Sequence, residues 1–168
     1  VECVNLFLQS NPDIMRFELP CGVGTSYIIY EIIKKSTIDA VHLIISPWID
    51  LSYQMMNELE EFGIKATLMG DGHEPETLEG IQVLVCITAS AKKLSKMDFK
   101  FGYKFIDEAH HVEKLESKQL EYINCIECER ELHLSATFRK IHPLDYCMTL
   151  RDAIDGGWLS DYRIYIEY

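Results

Sequence analysis

Tyr103-Lys104-Phe105-Ile106-Asp107-Glu108-Ala109-His110 runs from an aromatic and β-branched segment straight into two adjacent carboxylates. Its first four residues suit a buried strand, so the acids fall where that strand ends. In a parallel sheet the carboxyl ends of the strands are where ligand-binding loops gather. Two carboxylates there have separate chemical uses. One can hold a divalent cation, often through water, while the other orients or deprotonates an attacking water. A solvated acidic turn that caps a helix is the plainer alternative.

Outward from this stretch, apolar segments alternate with amphipathic ones, the pattern of repeated strand–helix units. Residues 17–19 read as a short strand entering the turn Cys21-Gly22-Val23-Gly24. The helical spacing of Ile28, Ile29, Ile32 and Ile33 predicts a helix over 25–35. Residues 41–46 (VHLIIS) form a nearly continuous apolar run, as expected of a strand covered on both faces, and Pro47 ends it. Asp50 is expected to cap the next helix, with a stripe of Leu51, Met55, Leu59 and Phe62 and a stop at Gly63. Strands are expected at 65–69, 82–87, 131–134 and 162–168, with an exposed acidic connection over 70–80. Helices are expected over 117–127 and around 152–154, the latter stopped by Gly156-Gly157. The pattern predicts one α/β domain over 1–168 on a mostly parallel sheet.

Composition bounds the function. The 168 residues are 48% hydrophobic and 26% charged, ordinary for a globular protein. No apolar stretch approaches the ~20 residues that span a bilayer, so an intracellular, soluble protein without a membrane partner is expected. The chain opens at Val1, mid-pattern and without Met, which predicts a piece of something longer. Net charge is −11, from 16 Lys and Arg against 27 Asp and Glu. This argues against autonomous tight grip on phosphates. A local contact edge stays open, because Lys92, Lys93, Lys96, Lys100 and Lys104 stand apart from the acidic clusters. Of six cysteines, only Cys125 and Cys128 are close, with no second pair or spaced histidines to complete a zinc site. Free thiols are expected, with Cys86 in the core.

Five segments carry a resemblance when taken together. Leu19-Pro20-Cys21-Gly22-Val23-Gly24-Thr25-Ser26, between a strand and a helix, resembles the Walker A loop, whose backbone amides wrap phosphates. Asp107-Glu108-Ala109-His110 matches the DEAH form of Walker B. Ser135-Ala136-Thr137 follows an apolar run, as helicase motif III does. The segment from Ser46 through Pro47, Trp48, Leu51 and Gln54 is similar to motif Ia, and Thr88-Ala89-Ser90 with Lys92 and Lys93 falls where motif Ib would be. Helix capping explains the motif Ib stretch equally well, and for the motif Ia stretch it is the lesser alternative, compatible with the motif reading. The chain resembles the first RecA-like domain of superfamily 2 helicases of the DEAD/DEAH-box type, a P-loop NTPase three-layer sandwich. Residues 150–162 also resemble the segment that leaves this domain.

The resemblance implies ATP and Mg²⁺ as cofactors. Gly22, Val23, Gly24, Thr25 and Ser26 would bind nucleotide, with Ser26 and Asp107 as Mg²⁺ ligands. Asp107 and Glu108 would be catalytic, Glu108 as the base. His110, Ser135 and Thr137 would couple the site to its surroundings. Pro47, Trp48, Gln54, Thr88 and Lys92 would touch the backbone of DNA or RNA, and a second RecA-like domain would be the other partner. Thr25 departs from the pattern, since the loop's lysine should stand there. Without that charge, depressed turnover is expected. Motifs IV to VI are absent, and Gln9 is a poor match to the upstream adenine-recognition glutamine. The first reading is therefore an ATP-dependent helicase or translocase domain. The alternative is a non-catalytic scaffold that binds nucleic acid or protein. A generic P-loop kinase or GTPase would leave Ser135 to Thr137 unexplained.

Overall fold

The computed structural model describes residues 2–138 and 142–161. Seven strands, β1 (Ile14–Glu18), β2 (His42–Ser46), β3 (Ala66–Met69), β4 (Val83–Ile87), β5 (Phe101–Ile106), β6 (Cys128–Ser135) and β7 (Tyr146–Cys147), lie in the order β3-β4-β2-β5-β6-β1-β7. Every pairing between them is parallel. Helices α1 (Glu2–Gln9), α2 (Thr25–Lys35) and α3 (Ile49–Glu61) cover one face. The short helices α4 (Ala91–Leu94), α5 (Ala109–Val112) and α6 (Ser117–Asn124) cover the other, and α7 (Leu150–Asp155) follows β7. This is the RecA-like α/β arrangement that the sequence predicts.

The continuous apolar runs are explained by burial on both sides. Along β2, Ile44 packs with Phe17, Ile29, Leu59 and Phe105 under α2 and α3, while Leu43 and Ile45 pack with Cys86, Phe101 and Val112 under α4 to α6. Side chains alternate across a strand, so a strand between two helix layers has no polar side to show. Burial pushes the Cys86 thiol up to about 12, consistent with a core cysteine. In α2, Ile28, Ile29 and Ile32 face inward, and Lys34 and Lys35 sit at the carboxyl end, where the helix dipole favours cations.

Several expectations are corrected. Asp50 does not cap α3; Trp48 holds that position in an extended conformation, with no side-chain cap, and Asp50 lies in the first turn. The buried stripe is Ser52, Met55 and Leu59, while Phe62 is exposed. Gly63 does stop the helix, through Gly63 N–H to Glu60 O (2.8 Å) and Ile64 N–H to Leu59 O (2.9 Å). Lys104 is no part of a contact edge. It is 1% exposed, and its Nζ donates to Ile123 O (3.0 Å) and Ile126 O (3.2 Å) while pairing with Glu131 at 2.8 Å. Burial opposes ionisation of Glu131, but a hydrogen bond to His133 and the nearby Lys104 hold its carboxyl below the usual range. Helix α1 and strand β7 are additional to the sequence reading. The strand expected over 162–168 lies outside the described residues. Among the described residues no cluster of His, Cys, Asp and Glu could hold a metal ion, and no helix is long and apolar enough to cross a membrane.

Candidate functional site

The strand order brings the five segments to one edge. They follow β4, β2, β5, β6 and β1, which are consecutive in the sheet. Since all five strands run parallel, every loop emerges at the carboxyl side.

The loop after β1 is shaped by its glycines. Gly22 and Gly24 have φ of +89° and +84°, which L side chains rarely adopt. Gly24 is the N-cap of α2, and the first ladder bond runs from Ile28 N–H to Gly24 O at 3.2 Å. The amides of Thr25, Ser26 and Tyr27 precede it and are left for a ligand or water. Above Gly22 lies Leu159, whose Cδ2 would stand 3.2 Å from a Cβ placed there. Beside the loop, a cavity of about 220 Å³ opens between α1, α2 and β7, with Val23, Tyr27, Ile28, Tyr146 and Trp158 in its wall. Leu159 and Trp158 carry no local signal that would have linked them to the loop, because the link is made by the fold.

The loops after β5 and β6 are held together by side chains. Asp107 N–H donates to Ile45 O at 2.9 Å, so the ladder extends to the carboxylate-bearing residue. Burial, then the neighbouring Glu108, then Glu58, push the Asp107 carboxyl up to about 6, against one lowering contact from the Glu108 backbone. Glu108 occupies the left-handed region (φ 48°, ψ 47°), a strain of about 1–3 kcal/mol for a residue with a side chain. His111 N–H donates to Glu108 O at 2.8 Å and closes that turn.

His110 joins the two loops. Its Nδ1 lies 2.9 Å from Ser135 Oγ and 3.3 Å from Glu108 Oε2. Ser135 Oγ also donates to Thr137 O (3.0 Å) and accepts from Thr137 N–H (3.1 Å). A hydroxyl has one proton; with it committed to Thr137 O, the shared hydrogen in the His110 contact belongs to Nδ1. Glu18, which the sequence reading passed over, reaches the same place: its Oε2 accepts from Phe138 N–H at 3.0 Å. Leu19 N–H donates to Ser135 O at 2.9 Å. The strand that enters the glycine loop is therefore tied to the Ser135 loop.

The residues expected to touch nucleic acid are divided. Trp48 is 50% exposed, and Gln54 and Lys92 are exposed. Gln54 Nε2 donates to Glu58 Oε1 at 2.7 Å, and Lys92 Nζ lies 5.7 Å from the Tyr122 ring centre. Thr88 is buried, its hydroxyl 3.5 Å from Pro47 O, so it braces the two loops from beneath. Lys93 pairs with Glu74.

This fold and this edge define the RecA-like domain of a superfamily 2 helicase. The chain belongs to the family described as "Type III restriction enzyme, res subunit", which matches residues 2–140. Solved structures of the same fold include the Sulfolobus solfataricus SWI2/SNF2 ATPase core in complex with double-stranded DNA (TM-score 0.64, 16% identity, 74% of this chain and 28% of that one). Others are the UvsW helicase of bacteriophage T4 (0.63, 17%, 85% and 56%) and S. cerevisiae Dbp5 bound to RNA and ADP BeF3 (0.70, 18%, 86% and 44%). The chain thus spans 28% to 56% of the length of these three. No curated protein matches the sequence.

Proposed function

We propose that this chain is the nucleotide-binding lobe of an ATP-dependent helicase or translocase acting on DNA or RNA, with turnover depressed by Thr25. The observation that carries the reading is the bonded set Glu108–His110–Ser135–Thr137, set at the same sheet edge as an amide-lined glycine loop. Relatives in fold bear the names SWI2/SNF2 ATPase and UvsW helicase, and one is bound to RNA with ADP BeF3.

The residues present fit Mg-ATP in all but one respect. First-turn amides of α2 and the φ-positive glycines suit phosphate oxygens. A serine hydroxyl and one aspartate are hard oxygen donors of the kind Mg²⁺ takes together with phosphate and water, without a closed protein cage. The raised Asp107 carboxyl marks a place where a cation is wanted. What does not fit is Thr25, which brings no charge to the terminal phosphates. When bound, Mg²⁺ would supply charge neutralisation at the phosphates. Ser26 and Asp107 would hold that ion, and the amides of residues 22–26 would hold the phosphate oxygens. Glu108 accepts a proton from the attacking water as the new P–O bond forms and the bond to ADP breaks. His110 steadies Glu108 against the Ser135 loop. A second RecA-like lobe would complete the cleft.

The scaffold reading has a specific observation in its favour, Thr25 itself. Calorimetry of Mg-ATP and Mg-ADP on the chain and on Thr25→Lys separates the two. One charge-assisted phosphate contact is worth about 1.5–3 kcal/mol, or roughly 10- to 150-fold in affinity. Tighter binding in Thr25→Lys by that factor supports an intact pocket disabled at one residue. Absence of binding in both forms favours the scaffold.

A further inference from the structure

Trp48 sits on an unusually fixed backbone for an exposed aromatic residue. Its carbonyl accepts from Ser52 N–H (3.1 Å), Ser52 Oγ (3.0 Å) and Ser46 Oγ (3.3 Å), and both serines are fully buried. The indole is half exposed, and its inner side meets the His111 ring edge to face, with centroids 4.3 Å apart at 65°. The His111 ring in turn lies 4.0 Å from that of His110. His110 Nδ1 is 3.3 Å from Glu108 Oε2, and the His111 amide holds the strained Glu108 turn. An unbroken series of contacts therefore leads from a solvent-facing indole to the proposed base.

The charge of the domain says what such an indole is for. At −11, with Lys93, Lys100 and Lys104 already paired to acids, phosphate attraction alone gives little grip. Stacking of an unpaired base on an aromatic face needs no net charge and is worth about 1–3 kcal/mol per base. Bases inside a duplex are already stacked and cannot offer that face.

We propose that Trp48 is a stacking platform for an unpaired base of single-stranded nucleic acid, and that His111 is a positioning residue that passes occupancy of Trp48 to His110 and Glu108. The proposal rests on the nucleic-acid part of the function above. A base pressed against the free side of the indole fixes its tilt. The edge contact then fixes the His111 ring, and that ring limits where His110 can hold the Glu108 carboxylate.

The test uses the chain labelled with 5-fluorotryptophan, the Trp48 and Trp158 signals being told apart with W48F. A short fluorescein-labelled oligothymidylate, its duplex and an abasic strand are titrated. Fluorescein anisotropy reads binding, the ¹⁹F signal reads stacking, and the imidazole proton signals of His110 and His111 read the relay. The oligothymidylate should shift the Trp48 signal and both histidines, with the abasic strand and duplex doing neither. W48A should weaken binding about 5- to 150-fold, and W48F should retain most of it. H111A should keep binding and the Trp48 shift while the His110 signal stops responding. Binding without a Trp48 shift, or equal binding of the abasic strand, overturns the platform. A His110 response that survives H111A overturns the relay. No anisotropy change with any strand overturns the nucleic-acid reading itself and the platform with it.

Discussion

The glycine loop and the ledge formed by Asp107 to His110 and Ser135 to Thr137 are built on different principles. The loop is a backbone object: its shape comes from two φ-positive glycines and a helix start, and the Thr25 and Ser26 side chains make no hydrogen bond among the described residues. The ledge is a side-chain object, cross-bonded from Glu108 through His110 to Ser135 and Thr137. A site of amides keeps its form when a side chain is exchanged, yet loses its charge balance. On the ledge the carboxylates matter instead: burial first, then Glu108 and Glu58, raise the Asp107 carboxyl to about 6.

The sharpest way to break this contrast is at Glu108. With Thr25→Lys in a chain that carries the proposed second lobe, Glu108→Gln should lower ATP turnover by roughly 10²- to 10⁴-fold, the usual contribution of a general base. Nucleotide affinity should change far less. A turnover loss below about tenfold in steady-state assays would place the base elsewhere.

Beneath the ledge, Lys104→Met tests whether the side-chain construction extends into the sheet. Removing one partner of a buried pair costs about 3–5 kcal/mol, and here it leaves Glu131 with His133 alone and frees the carbonyls of Ile123 in α6 and of Ile126 beyond it. Urea unfolding should show a loss of that size. Lys104→Met with Glu131→Gln should recover part of it, since no buried charge is then left alone.

Asp107 gives a smaller effect whose sign depends on pH. Its folded pKa of about 6 stands above the ordinary 3.8, so the folded chain prefers the protonated form. The stability this contributes is full below about pH 3.8 and is lost as pH rises through about 6. Asp107→Asn should therefore stabilise the ligand-free chain by up to about 3 kcal/mol at pH 8, with the difference vanishing below pH 4. Wild-type affinity for Mg²⁺ should fall as pH drops through 6, because only the carboxylate is a ligand. Equal stability of the two chains across pH 4 to 8, in thermal melts without Mg²⁺, would show that burial does not raise the Asp107 carboxyl.

The same contrast explains what the sequence disclosed. Strands with two covered faces show as unbroken apolar runs, and the 25–35 helix appears through Ile28, Ile29 and Ile32, so the sheet was legible. The candidate site residues were named from fixed spacings, and the structure brings Glu108, His110, Ser135 and Thr137 into contact with one another. Contacts made only by tertiary proximity were not legible. Lys104 looks like any surface lysine in a list of basic residues, and only the parallel pairing of β5 with β6, which sets it opposite Glu131, shows that it is buried there. Asp50 looked like a cap because Asp often is one; the helix starts two residues earlier, at Trp48, whose carbonyl accepts from buried Ser52. Helix α1 was missed because its eight residues are shorter than the window over which helical spacing is read, though Val4 and Phe7 reach the core. Leu159 over Gly22 had no signal at all.

That last contact offers the gentlest test. The six residues of α7 begin in a capping box: Thr149 Oγ1 accepts from Asp152 N–H at 3.1 Å, and Asp152 Oδ2 accepts from Thr149 N–H at 2.9 Å. At the far end, Ala153 O accepts from Trp158 N–H (2.8 Å) and Leu159 N–H (3.1 Å), which sets Leu159 over the loop. Thr149→Ala should cost about 1 kcal/mol, or roughly 2–4 °C in Tm for a chain of this size. Because the loop takes its shape from glycines and a helix start, Mg-nucleotide affinity should then change less than about twofold, a difference below ~0.4 kcal/mol. Hydrogen exchange at the Trp158 and Leu159 amides should quicken while that at the α2 amides stays unchanged. If nucleotide affinity instead falls tenfold, the loop is shaped from outside by Leu159, and its contrast with the ledge is one of partners rather than of backbone against side chain.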